Sequence, residues 1–100
     1  MNSIVSDKIP QVAQLCQRHN VKALYAFGSV LTEQFGNNSD VDLIVDFDKK
    51  AIEDRFIHYF DFKYSLEELF LRKVDLLEEQ EIRNPVLRRS IERNKQLIYG

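Results

Sequence analysis

One hundred residues carry 14 Lys and Arg against 16 Asp and Glu, a formal charge of −2 at pH 7. A chain of that length can bury one core without staples, so one domain over residues 1–100 is expected. The charge balance argues against nonspecific binding to duplex DNA, which needs a strongly basic surface. No apolar run approaches the ~20 residues of a membrane span, and the N-terminus lacks a signal-peptide apolar region. The single Cys16 cannot form an internal disulfide, which fits a reducing cytoplasm, and its apolar setting predicts core packing.

Residues 9–18 read as a helix. Pro10 suits its first turn, and Ile9, Val12, Ala13 and Cys16 form one stripe at helical spacing. Asn20 is a plausible terminator. His19 and, further on, His58 read as surface residues. Val21 to Phe27 form an apolar strand that runs into Gly28-Ser29. Val30 to Phe35 read as a short helix, and Gly36-Asn37-Asn38-Ser39 as a turn by composition.

The stretch Asp40-Val41-Asp42-Leu43-Ile44-Val45-Asp46-Phe47 reads as a second strand. Residues two apart share a face, so Asp40 and Asp42 point one way while Val41, Leu43, Val45 and Phe47 point into a core. Two carboxylates on one sheet face repel, and burying them unpaired is costly. A divalent cation resolves the conflict, because carboxylate oxygens are the ligands Mg²⁺ prefers alongside substrate phosphates. Gly28 lets the backbone approach a ligand closely, Ser29 adds a hydroxyl, and amides opening a helix attract anions. Taken singly, Asp-x-Asp is more often a solvated strand edge and Gly-Ser more often a plain turn. Asp46 and Asp48 repeat the spacing with no phosphate loop to match, and read as strand-end solvation, with Asp46, on the face of Asp42, also a candidate to support the acids from behind.

Residues 52–71 read as the long helix, rich in Phe and Tyr. Those rings either cover a sheet face or stay exposed for a partner. Leu71 stands where a Gly cap would be expected, so this helix is expected to run straight into Arg72-Lys73. In Lys73-Val74-Asp75-Leu76-Leu77, Val74 and Leu76 face a core and Asp75 the opposite side. The acidic run Glu78 to Glu81 reads as a solvated loop or helix start. Asn84 and Pro85 are an N-cap and first residue for a final helix. Arg83, Arg88, Arg89, Arg93 and Lys95 make that helix the basic element, either a solvated face or a docking surface. Leu97-Ile98-Tyr99 reads as a last short strand. The fold class is α/β (α+β): a small mixed sheet with helices mainly on one face and an open acidic face opposite.

Gly28-Ser29, ten residues, then Asp40-x-Asp42, each following or opening an apolar strand, resembles the nucleotidyltransferase superfamily with the DNA polymerase beta-like fold. The chain looks like the minimal nucleotidyltransferases, which carry the catalytic core and little else. These are often encoded beside a HEPN-domain protein, as the antitoxin of a toxin–antitoxin pair. The similarity covers nearly the whole chain, from the first helix to Tyr99. It implies Asp75 as a third carboxylate, with Asp40, Asp42 and Asp75 catalytic and metal-binding, and Gly28 and Ser29 nucleotide-binding. It implies two Mg²⁺ ions ~3.5–4 Å apart, ATP as substrate, and a HEPN toxin as hetero-oligomeric partner. AMP transfer to a tyrosine of that toxin would neutralise it. Two other readings stay open: an antitoxin that binds stoichiometrically with a vestigial site, and nucleotidyl transfer to a small molecule or RNA presented by another chain. The commoner family pattern is Gly-Ser-x-Ala-Arg-Gly. Here Thr32 stands for Arg and Glu33 for the second Gly, so a basic phosphate contact is missing from the loop.

Overall fold

Alternation and capping residues divide the chain much as its sequence suggests. The computed structural model describes residues 3–31, 39–50 and 54–100. The elements in order are α1 (Ser3–Ser6), α2 (Ile9–Arg18), β1 (Val21–Phe27), a 3₁₀ turn (Gly28–Leu31), β2 (Val41–Phe47), α3 (Arg55–Phe70), β3 (Val74–Glu78), a 3₁₀ turn (Glu79–Glu81), α4 (Pro85–Asn94) and β4 (Gln96–Tyr99). Of the short helix expected over 30–35, Val30 and Leu31 fall in the 3₁₀ turn Gly28–Leu31 and residues 32–35 lie outside the described residues. Thr32, Glu33 and Gly36 to Asn38 lie outside the described residues.

The sheet order is β3-β2-β1-β4. β1 runs antiparallel to both β2 and β4, while β2 and β3 are parallel. A parallel pair needs a crossover, and α3 supplies it. One sheet face presents Leu24, Ala26, Val41, Leu43, Val45, Phe47, Val74 and Leu76. These pack against Val5 of α1, Val12 and Cys16 of α2, and Phe62, Leu66 and Phe70 of α3. Each fully buried large side chain contributes about 1.5–3 kcal/mol relative to exposure. Burial pushes the Cys16 thiol up to about 12, so it packs as an apolar group.

The opposite face is not wholly open. Ile82 and Ile91 bury Ile44, with Tyr25, Phe27 and Leu77 packed around them. α4 therefore covers the middle of the face that carries the acids. It does so through one buried residue, Ile91, and leaves Val86 and Leu87 exposed. Arg88 helps to dock it, its Nη1 donating to the Glu79 and Ile82 carbonyls at 3.2 and 3.3 Å, so the charge-rich sequence conceals this role.

Helix ends explain the boundaries. Asn20 takes a left-handed φ of 57° after α2. The Asp54 carboxylate accepts from the amides of Phe56 and Ile57 at 3.1 and 3.2 Å. Asn84 accepts from Val86 and Leu87 at 2.9 and 3.2 Å, with Pro85 in the first turn. α3 does not run on into Arg72. It stops because Leu71 adopts φ 56° and its N–H donates to the Glu67 carbonyl.

The outer edge of β3 is blocked. Lys73 turns its carbonyl to β2, where Val41 N–H donates to it at 3.0 Å, so the backbone groups of Val74 point to the sheet edge. The Val74 amide donates to the Glu67 carboxylate at 2.9 Å, and the Tyr59 hydroxyl donates to the Leu76 carbonyl. Such side-chain plugs discourage strand addition at an exposed edge.

Phe62 is fully buried and meets the Phe47 ring edge-on at 5.9 Å, whereas Phe56 is 73% exposed. Urea unfolding is expected to show Phe62→Ala losing about 3–5 kcal/mol and Phe56→Ala changing by no more than about 0.5 kcal/mol. Equal losses would contradict this division of the aromatic helix. Leu71 is 86% exposed, so Leu71→Gly forfeits little packing and relieves its left-handed backbone. That variant is expected to gain about 1 kcal/mol in the same assay.

Candidate active site

The strand ends bring two of the predicted acids together. Phe27, Asp42 and Asp75 are cross-strand partners on β1, β2 and β3. Partners in register share a face, and adjacent strands lie about 4.8 Å apart. Asp42 and Asp75 are therefore immediate neighbours, the first half-buried and the second exposed. Asp40 is exposed, one residue before β2.

Gly28 closes the site from β1. Its φ is +71°, and a Cβ added there would lie 2.5 Å from the Asp42 Oδ2. Any side chain would press on the carboxylate, and the left-handed backbone disfavours one independently. Ser29 follows within the 3₁₀ turn Gly28–Leu31. Arg72 secures the other flank: its Nη1 donates to the Ser39 carbonyl at 3.1 Å, fixing the residue that precedes Asp40. Nothing local in the sequence announces this contact, which joins residues 33 apart.

Among the described residues no three His, Cys, Asp or Glu side chains form a ready metal cage. Mg²⁺ does not require one, since it commonly uses one or two carboxylates and completes its shell with waters and substrate phosphates. The Asp42–Asp75 pair, with a glycine against Asp42, fits that requirement in donor chemistry.

Asp46 stays outside this group. It shares the face of Asp42, but Ile44 lies between them, buried beneath Ile91. Asp46 instead borders a cavity of about 920 Å³ at the opposite end of the sheet, with Lys22, Lys49, Lys50 and Arg88. The histidines are less superficial than their sequence context suggests. His19 is half-buried against Phe62, ring centroids 5.6 Å apart, and burial foremost lowers its pKa. His58 has a buried Nδ1 without a hydrogen-bond partner.

Two further features adjoin the acids. A groove of about 570 Å³ begins one residue beyond Asp75, lined by Phe56, Tyr59, Phe60, Leu76, Leu77 and two glutamates. Burial, and after it the charges of Asp75, Glu78 and Glu67, raise the Tyr59 pKa. Lys95, the residue joining α4 to β4, brings its Nζ to 4.2 Å from the Tyr25 ring centroid and 3.1 Å from the Glu92 carboxylate. Nothing local in the sequence announces that placement, because it depends on the pairing of β4 with β1.

Comparisons with known proteins agree with this geometry. Residues 10–100 match the family model described as polymerase beta, nucleotidyltransferase. A protein of Methanocaldococcus jannaschii named "putative protein adenylyltransferase" is 34% identical over 85 residues, covering 85% of this chain and 82% of the relative. A solved "putative minimal nucleotidyltransferase" superposes with a TM-score of 0.78 at 28% identity, covering 96% of this chain and 95% of the other. A tri-AMPylated Shewanella oneidensis HEPN toxin in complex with MNT antitoxin provides a match with a TM-score of 0.67 at 18% identity, over 95% of this chain and 71% of that one, and shares the fold. With its glycine turn against Asp42 and its carboxylates in register, this chain belongs to the polymerase beta nucleotidyltransferase family.

Proposed function

We propose that this nucleotidyltransferase transfers AMP from ATP to a tyrosine hydroxyl of a HEPN-domain toxin, and thereby acts as its antitoxin. The observation that carries the chemistry is the register that sets Asp42 beside Asp75, with Gly28 against Asp42. The choice of acceptor is supported by the adenylyltransferase relative and by the fold shared with an antitoxin bound to an AMPylated toxin.

On this reading Asp40, Asp42 and Asp75 hold Mg²⁺, two ions in all, and Gly28 and Ser29 receive the phosphate tail. Bound Mg²⁺ supplies charge neutralisation of the triphosphate and acidification of the acceptor hydroxyl. Asp75, on the exposed flank, accepts the proton from that hydroxyl. The oxygen then forms a bond to the α-phosphorus as the bond to pyrophosphate breaks. Gly28 keeps the backbone close to the phosphates, and Arg72 holds the Ser39–Asp40 backbone in place. The chain supplies position and charge, which is most of what phosphoryl transfer demands.

A second reading has its own observation. Phe56, Ile57 and Tyr64 of α3 are 73%, 55% and 58% exposed, and Phe56 lines the apolar groove. Such a surface suits an antitoxin that neutralises its toxin by contact alone.

Calorimetric titration of ATP with Mg²⁺ is expected to show binding to the wild type and its loss in Asp42→Asn. Intact-mass analysis of a co-purified HEPN protein after incubation with ATP is expected to show adenylyl additions, slowed at least about 100-fold by Asp42→Asn. An unmodified toxin neutralised equally well by Asp42→Asn would favour the contact reading. Like charges on directly opposite residues are destabilising. Asp75→Asn is therefore expected to raise stability by up to about 1 kcal/mol in chelator. Mg²⁺ with ATP should then stabilise the wild type more than this variant. A loss of stability in chelator would mean that the Asp75 carboxylate serves the fold.

A further inference from the structure

The nucleotide site proposed above needs positive charge, and the stretch around it has none. Residues 23–48 contain no Lys or Arg, so neither β1, β2 nor the loop between them supplies a cation. Charge for a triphosphate must arrive from elsewhere in the chain. Arg72 comes from the β3 side, and its Nη1 is engaged with the Ser39 carbonyl. The β1 side, where Gly28 and Ser29 lie, is served by a different residue.

We infer that Lys95 is a phosphate-positioning residue, contributing from the far end of the chain the cation that the glycine loop lacks. This rests on the nucleotide-site reading. The sheet order places the groups in sequence: Asp75 on β3, Asp42 on β2, Gly28 at the end of β1, and Lys95 at the start of β4. Gln96 pairs with Ala26, so Lys95 enters beside the last residues of β1, next to the glycine turn. Its side chain crosses to the acidic face, where the ammonium sits over Tyr25. Tyr25 pairs with Ile44, which makes Asp42 its diagonal neighbour at roughly 7–8 Å.

The ammonium is held in place by a ring face and one exposed carboxylate. The face of Tyr25 attracts it from below. Glu92 pairs with it at 3.1 Å, but that carboxylate is 49% exposed, whereas the Lys95 side chain is only 18% exposed. A well-hydrated counter-ion screens weakly and yields readily to a phosphate. The half-buried stem removes much of the freedom that a surface lysine would lose on binding. Lying across Gly28 from Asp75, Lys95 faces the departing phosphates and not the acceptor. Its effect should therefore fall on nucleotides with β- and γ-phosphates.

The test is titration of ATP and of AMP, each with Mg²⁺, into wild type, Lys95→Met and Lys95→Arg, with melting temperatures recorded alongside. Lys95→Met keeps the apolar stem. It should weaken ATP about tenfold, from the loss of one charge-assisted contact, and leave AMP unchanged, while Lys95→Arg keeps ATP affinity. The salt dependence of ATP affinity should also become shallower in Lys95→Met. Glu92→Gln, which leaves Lys95 in place, should tighten ATP and supplies the answer if Lys95→Met fails to fold. Equal weakening of ATP and AMP in Lys95→Met, unchanged ATP affinity in that variant, or unchanged or weaker ATP binding in Glu92→Gln would each overturn the inference while the nucleotide site stands. A wild type that binds no ATP would instead remove the reading on which it rests.

Discussion

Asp42 and Asp75 stand in register on adjacent parallel strands, and much of the molecule is arranged around that repulsion. A sheet built for stability would place apolar or oppositely charged residues there. Instead the chain sets two carboxylates side by side and brings a left-handed glycine against one of them. The cost is offset on the reverse face. There Val41, Leu43 and Val74, Leu76 alternate with the acids and lie in the main core beneath α1, α2 and α3. Period-two alternation ties the two faces together: a one-residue slip would bury the carboxylates and expose the core. The hydrophobic effect thus enforces the register that keeps the acids adjacent.

How much of this could be read beforehand depended on whether the determinant was local. β1 ends on turn residues, and apolar neighbours flank Asp42 on β2 and Asp75 on β3, so the limits of β1 and the orientation of both acids were legible, whereas Ile44 breaks the alternation of β2 and is buried on the acidic face. Asn84-Pro85 marked the start of α4 for the same reason. The failures are equally physical. Leu71 ends α3 in a left-handed conformation that Gly or Asn would have advertised; Leu does not. The α4 sequence looks like a solvated basic helix, and only tertiary structure shows Ile91 sealing Ile44. His58 sits among acids and rings, yet folding buries its Nδ1. Lys95 is illegible in principle, because its position follows from strand pairing between residues some seventy apart.

The two ends of the sheet face are treated differently, and that asymmetry bears on function. At the centre, Ile44 is sealed by Ile82 and Ile91, which separates Asp42 from Asp46 and prevents one continuous acidic strip. The acids near Gly28 are thereby isolated as a compact group. Asp46 is left to the cavity at the opposite end, among lysines and Arg88. One small apolar contact from a charged helix thus partitions the electrostatics of a whole face.

The same economy governs how another protein can approach. Glu67 and Tyr59 occupy the outward amide of Val74 and carbonyl of Leu76, so β3 offers a poor template for a partner strand. What remains beside Asp75 is an apolar groove bordered by Glu78 and Glu81. At this edge side-chain packing, not backbone pairing, is then the available mode of recognition. An acceptor docked there lies on the flank of Asp75, on the opposite side of Asp42 from the glycine turn. On the proposed reading this separates the two substrates by construction: phosphates enter along β1, the acceptor along β3, and they meet only over the paired carboxylates.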